Sequence, residues 1–285
     1  MIESIYNAGY GIWNYLIGIA MTLFTTSPTV ANGSVYGTTR TLYNAISCIA
    51  TPIAVIFFML AILKDVMGTP AEQQARRFLQ DALKFAVMIG IVLNLWDIMG
   101  YIMQIADGIT DSFAAKTHAT CELTVSDDLK AVLAELDADV DFFSAEKWEQ
   151  IKATIIMMIA SMATFGVVIA AGISIISCAF QRIIKPLVIL PFSSIAVAIG
   201  TGSGDASRVM VNYLKTFFGF CLSGALMVVC IKLGVSLSDG GLIAFDLDSL
   251  STTEKALYIS VQNAIVPLVI SGLVKGTDSI ISKIF

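Results

Sequence analysis

The sequence predicts an all-α membrane protein. It reads as a polytopic helix bundle of about five transmembrane helices, with an N-terminal interfacial helix and a short re-entrant or interfacial segment near residues 187–199. Three observations predict this. Hydrophobic residues make up 56% of the 285 and charged residues 14%. Soluble domains carry roughly 45–50% and about 25%, so one soluble core cannot hide this much apolar surface. The apolar residues gather into long runs separated by short charged stretches. Of the 22 acidic residues, 11 fall between Asp107 and Glu149, which marks one polar segment. Nothing resembles the broad basic face of a nucleic-acid-binding domain.

Residues 1–40 form the first segment. "GYGIWNYLIGIAMTLF" is apolar but short for a span, which takes about 20 residues. Tyr6, Tyr10, Trp13 and Tyr15 crowd it, so residues 9–24 read as an interfacial helix, with a short span as the alternative. The first basic residue is Arg40, so the positive start of a signal peptide is not expected here.

Residues 41–106 hold two spans. The first is 42–63, with Pro52 tolerable where neighbouring helices satisfy the freed carbonyl. Thr69, Pro70 and Glu72 then spell a capped start with proline at the first helical position. That helix is expected to run into a second span at 85–106, with Arg76, Arg77 and Lys84 anchoring its polar end.

Residues 107–152 form an acidic outside loop. Ser126, Asp127 and Asp128 start a helix with acids at its positive end. Leu129, Val132, Leu133, Leu136, Val140 and Phe143 give it one apolar stripe, either packed on the membrane helices or free to dock a partner. Ser144 caps the next helix, Trp148 sits at interface level, and a third span covers 154–180. In the last segment, 153–285, further spans run over 216–238 and from Leu257 onward. Gly166 with Ala170, and Gly219 with Ser223, offer small-residue helix contacts.

The layout turns on Leu187–Ile199. Thirteen residues make about 20 Å of helix against a hydrocarbon core of about 30 Å. If this piece does not cross, an outside N-terminus and cytoplasmic C-terminus leave ten basic residues inside and six outside, with Lys232 in a span. If it crosses, the numbers become seven and nine. The excess of Lys and Arg on cytoplasmic loops favours the first arrangement. Irregular backbone at that depth needs protein or a wet cavity around it, which marks 185–215 as a functional surface.

Charged groups inside spans are costly and functional by default. Asp97 and Lys232 are the two, expected to pair with each other or make separate polar contacts, with a role in a translocation path as the alternative. Asn94 and Asn263 add polar groups expected to face the bundle interior. Four of the five cysteines sit in apolar runs; Cys121, three residues after His118, is a weak metal signal. "GTGSGDAS" (200–207) has glycines but no phosphate-loop lysine, and reads as a flexible connector. One histidine, no nucleophile elbow and no paired acids speak against an enzyme, and no cofactor or metal is expected.

The stretch "AFQRIIKPLVILPFSSIAVAIGTGSGDASRVMVNYLKTFFGFCLSGAL" (179–226) carries a resemblance. A basic helix end, a proline-containing small-residue run, a Gly-rich turn and "YLKTFF" lead into a span with "SGA". In this and in layout the chain resembles the TrbL-like polytopic membrane subunits of bacterial type IV secretion, the machinery of conjugative DNA transfer. Its 46-residue outside loop is smaller than in many relatives. The resemblance implies a non-enzymatic channel or scaffold subunit in the bacterial inner membrane. It also implies a homo-oligomer and partners among the secretion ATPases and other membrane subunits, with a single-stranded DNA–relaxase substrate in transit. Arg182, Lys185, Arg208 and Lys215, with Pro186 and Pro191, are then the candidate substrate or partner surface. Plain anchoring by positive charge is the alternative for each.

Overall fold

The computed structural model describes residues 2–29, 33–67, 70–116, 121–125, 127–136, 145–202, 205–239 and 251–284. All secondary structure among them is helical. The order is α1 (Ile2–Thr25), α2 (Gly33–Met67), α3 (Ala71–Leu93), α4 (Leu95–Lys116), α5 (Asp127–Leu136) and α6 (Ala145–Ile189). A 3-10 turn (Leu190–Phe192), α7 (Ser193–Ile199), α8 (Asp205–Asp239) and α9 (Thr252–Ile284) complete it.

Four stretches are long and apolar enough to cross a membrane: Gly33–Lys64, Lys147–Ile199, Asp205–Ser236 and Thr253–Ile284. A fifth, Gln73–Leu93 with Leu95–Ala115, qualifies only as a bent pair, broken by 68°. The protein is a multi-pass, all-α membrane protein.

The break corrects the straight second span expected over 85–106, and Asn94 is its physical cause. Its side chain donates to the Gly90 carbonyl at 2.9 Å, four residues back, and its backbone sits at φ −104°, ψ 14°. A short polar side chain that bonds its own backbone competes with the helix ladder. At the other end of α3, Pro70 precedes the helix as its cap residue, one position earlier than expected. The companions Thr69, Ser126 and Ser144 lie outside the described residues, as do His118, Val140 and Phe143.

The chain packs as two compact units, each drawn from three stretches. Unit 1 holds Met1–Phe24, Ser112–Phe180 and Leu226–Thr277. In it α1 buries Tyr6, Tyr10, Trp13, Ile17, Ala20 and Phe24 at helical spacing. Those aromatics were expected at a membrane interface; three of them are core, and only Tyr15 is exposed. The reason is periodicity: positions 6, 10, 13 and 17 share one face, and position 15 does not. Leu129 and Val132 of α5 join the same core, with Leu123 and Val125 before them. That assigns the described part of the stripe to internal packing. Close helix approach uses Gly172, against Leu16, and Gly234, against Ile270, while Gly166 faces open space.

Unit 2 holds Thr25–Asp111, Gln181–Ala225 and Asp278–Phe285. Its core joins Ala50, Ala54, Met99, Met103, Leu190, Val197, Ala198 and Phe217. The proline-flanked segment lies inside it: Leu187, Leu190, Pro191, Ser193, Ser194 and Val197 are buried, and α7 packs on α2 and α3. Pro186 does not stop α6, which continues to Ile189.

The direction of this segment is also set. Ile184, Leu187, Val188, Pro191 and Phe192 line a groove of about 270 Å³ with Val35, Thr39, Leu42 and Ile46. Farther on, the Thr201 hydroxyl donates to the Ala54 carbonyl at 2.9 Å, and Gly202 lies against Phe57. The segment therefore runs parallel to the first half of α2 and turns near its middle. The expected layout put residues 181–215 on the cytoplasmic side, opposite the start of α2. Unit 2 instead packs 184–192 beside that start. The turn itself is no flexible connector over its described part, because Gly200, Thr201 and Gly202 are all buried.

Candidate functional site

The polar groups singled out by the sequence divide into buried ties and exposed groups. Arg182 is the largest departure. Expected on a surface, it is one of the largest fully buried side chains, at 2% exposure. Its guanidinium donates to Asp107 Oδ1 at 2.8 Å and to the Thr26 carbonyl at 3.3 Å. Asp107 is 8% exposed, and its Oδ2 is buried without a hydrogen bond in the structure. Gly224 makes room, since a Cβ there would lie 2.2 Å from Arg182 Nε. Asp107 was read as the start of the outside loop, but it lies within α4, which continues for about two and a half more turns to Lys116.

Lys185 is half-buried, donates to Asp278 Oδ2 and stands 5.9 Å from the Phe220 ring centroid. Pro186 and Pro191 are buried around this level. Arg208 and Lys215 are exposed on α8, Arg208 paired with Asp205 at 3.3 Å. Of the six proposed surface residues, only these two present charge outward without reservation.

Lys232 is 5% exposed and donates to the Ala114 carbonyl at 2.5 Å and toward that of Phe113 at 3.5 Å. These carbonyls belong to the last turn of α4, where the helix dipole welcomes a cation. Asp97 lies in the first turn of the same helix, about 25 Å away at 1.5 Å per residue. Of the expected alternatives, Lys232 thus makes a separate polar contact, capping a helix end, in place of a pair with Asp97. Asp97 and Asn94 are exposed, not interior. Beside them Trp96 takes Tyr36 and Tyr43 at 5.1 Å each, with Arg40 over its ring at 5.9 Å.

Asn263 does face the interior of unit 1, accepting from the Tyr10 hydroxyl at 2.8 Å. Tyr6 donates to Ser260 at 3.2 Å, whose hydroxyl reaches the Met157 sulfur at 3.1 Å. These ties between α1, α6 and α9 were missed because tyrosine in a membrane sequence signals an interface first. Outside the spans, burial pushes the Cys121 thiol above its ordinary value, and a hydrogen bond from Lys130 holds the Asp127 carboxyl below its own. Among the described residues no cluster of three metal-ligating side chains occurs. No protein-family model, curated protein or solved structure matches the chain.

Proposed function

We propose that the chain is a channel or scaffold subunit of a conjugative type IV secretion system, helping a single-stranded DNA–protein substrate cross the bacterial inner membrane. The α2–α3 connector, with Lys64, Arg76, Arg77 and Lys84, is placed on the cytoplasmic side by its positive charge. Its partners are other membrane subunits and ATPases of the system and further copies of itself.

One observation carries the reading. Residues 181–225, the greater part of the stretch that carries the resemblance, belong to unit 2, in which, over the described residues, a helix end, a buried proline-flanked return and a packed turn precede α8. Such a helix interruption inside a membrane protein is tolerated where protein or a wet cavity surrounds it, as a translocation subunit requires. The buried Arg182–Asp107 tie and the close contact at Gly224 hold this body together.

Donor cells lacking the chain provide the test. Plasmid transfer should fall by orders of magnitude and return with the wild-type chain, while transfer at the wild-type frequency would remove the proposal. A second reading, a self-contained small-solute transporter, is favoured by the 68° break at Asn94 together with the interrupted 190–202 region, since transporters build their sites from discontinuous helices. Solute flux through liposomes holding only this purified chain would select it.

A further inference from the structure

Four polar residues on the first three turns of α8 form one stripe. Asp205, Arg208, Asn212 and Lys215 recur at i, i+3, i+7 and i+10, and all four are exposed. The Arg208 and Asp205 side chains are 79% and 95% exposed despite their mutual contact.

Contacts on either side fix the depth of the stripe within unit 2. Just before it, Thr201 and Gly202 pack on Ala54 and Phe57, slightly past the middle of α2. Within it, the Tyr213 hydroxyl donates to the Ile189 carbonyl at 2.8 Å. Just after it, Phe220 meets Lys185, whose neighbour Ile184 lines a groove with Val35 and Thr39 near the start of α2. The stripe therefore runs abreast of residues 41–57 of α2.

Over that same depth α2 carries no charge and exposes Leu42, Ile49 and Ile56. One level thus holds a helix whose exposed face is uncharged, mixing Leu42, Ile49 and Ile56 with Thr41, Asn44 and Thr51, and a stripe that carries charge. Charged side chains at membrane depth face a bundle interior or a water-filled cavity, because lipid offers them nothing to bond.

We infer that Asp205, Arg208, Asn212 and Lys215 line a water-filled passage through the membrane. Two cations and one anion on this wall suit hydrated ions and phosphate-bearing polymers, and exclude apolar solutes. The inference requires a membrane protein but not a role in conjugation.

Single cysteines at Arg208, Asn212 and Lys215, and at Ile49 and Ile56, test it in a full-length chain whose five native cysteines are replaced. Membrane vesicles are treated with charged, membrane-impermeant methanethiosulfonates applied from each side. The stripe positions should react at least tenfold faster than Ile49 and Ile56. In the Asn212→Cys chain, adding Lys215→Gln should lower the preference for the anionic reagent over the cationic one. Stripe positions as slow as Ile49 and Ile56, in chains that elute as folded protein, are sealed by lipid or by another copy and overturn the inference. Loss of DNA transfer plays no part in this readout, so failure of the conjugation reading and failure of the passage are seen separately.

Discussion

Asp107 and Arg182 show how much rides on single atoms in a protein interior. Removing one partner leaves the other charge buried without its counter-ion, a loss of about 3–5 kcal/mol. Asp107→Asn should therefore unfold at markedly lower denaturant. Arg182→Met with Asp107→Leu should regain most of the loss if the pair only holds helices together. Equilibrium unfolding in detergent, read by circular dichroism, measures both. Gly224→Ala should cost roughly 1–3 kcal/mol by overpacking against the guanidinium. At Cys121 the raised thiol value means less reactive thiolate at a given pH. Its alkylation at neutral pH should be several-fold slower than that of an exposed peptide thiol, and the gap should close as pH rises. Equal rates at neutral pH would contradict the burial seen there.

At the scale of elements, composition decided most of what was legible. α2, α6, α8 and α9 were expected as long helices because apolar runs of about twenty or more residues, one of them interrupted by Lys232, have few other options. The limits of that signal appear at Asn94. Hydropathy averages over a window and passes across a single asparagine, whereas the helix ladder responds to that one side chain. Asn94→Ala should restore a continuous helix. Spin labels at Gln80 and Gly108 should then separate from about 35 Å in the bent pair to about 42 Å in a straight rod. An unchanged distance would place the cause of the bend in surrounding packing. The N-terminal aromatics teach the converse: amino-acid type suggested an interface, but the spacing of Tyr6, Tyr10 and Trp13 on one face decided for the core.

For the whole molecule, the course of the proline-flanked segment beside α2 has the most consequence. Unit 2 sets Ile184–Phe192 beside the start of α2 and Thr201 beside its middle. A reagent confined to one side that labels Thr38→Cys should therefore also reach Gln181→Cys. Labelling of those two positions from opposite faces would contradict the parallel course of the segment and α2. Within the same unit Lys185 and Asp278 meet.

The sequence by itself determined the solvent of this protein and its class of structure. Its apolar fraction and run lengths demand lipid, and backbone groups in lipid demand helices. It also flagged the residues whose charge is costly. Tertiary structure alone decided what each of those charges does. Arg182 found Asp107, Lys232 found the end of α4, and Arg208 and Lys215 stayed exposed. The reason is physical: burial cost depends on residue type and is readable one position at a time. A partner depends on which distant helix arrives at the same depth, and no local pattern along the chain encodes that.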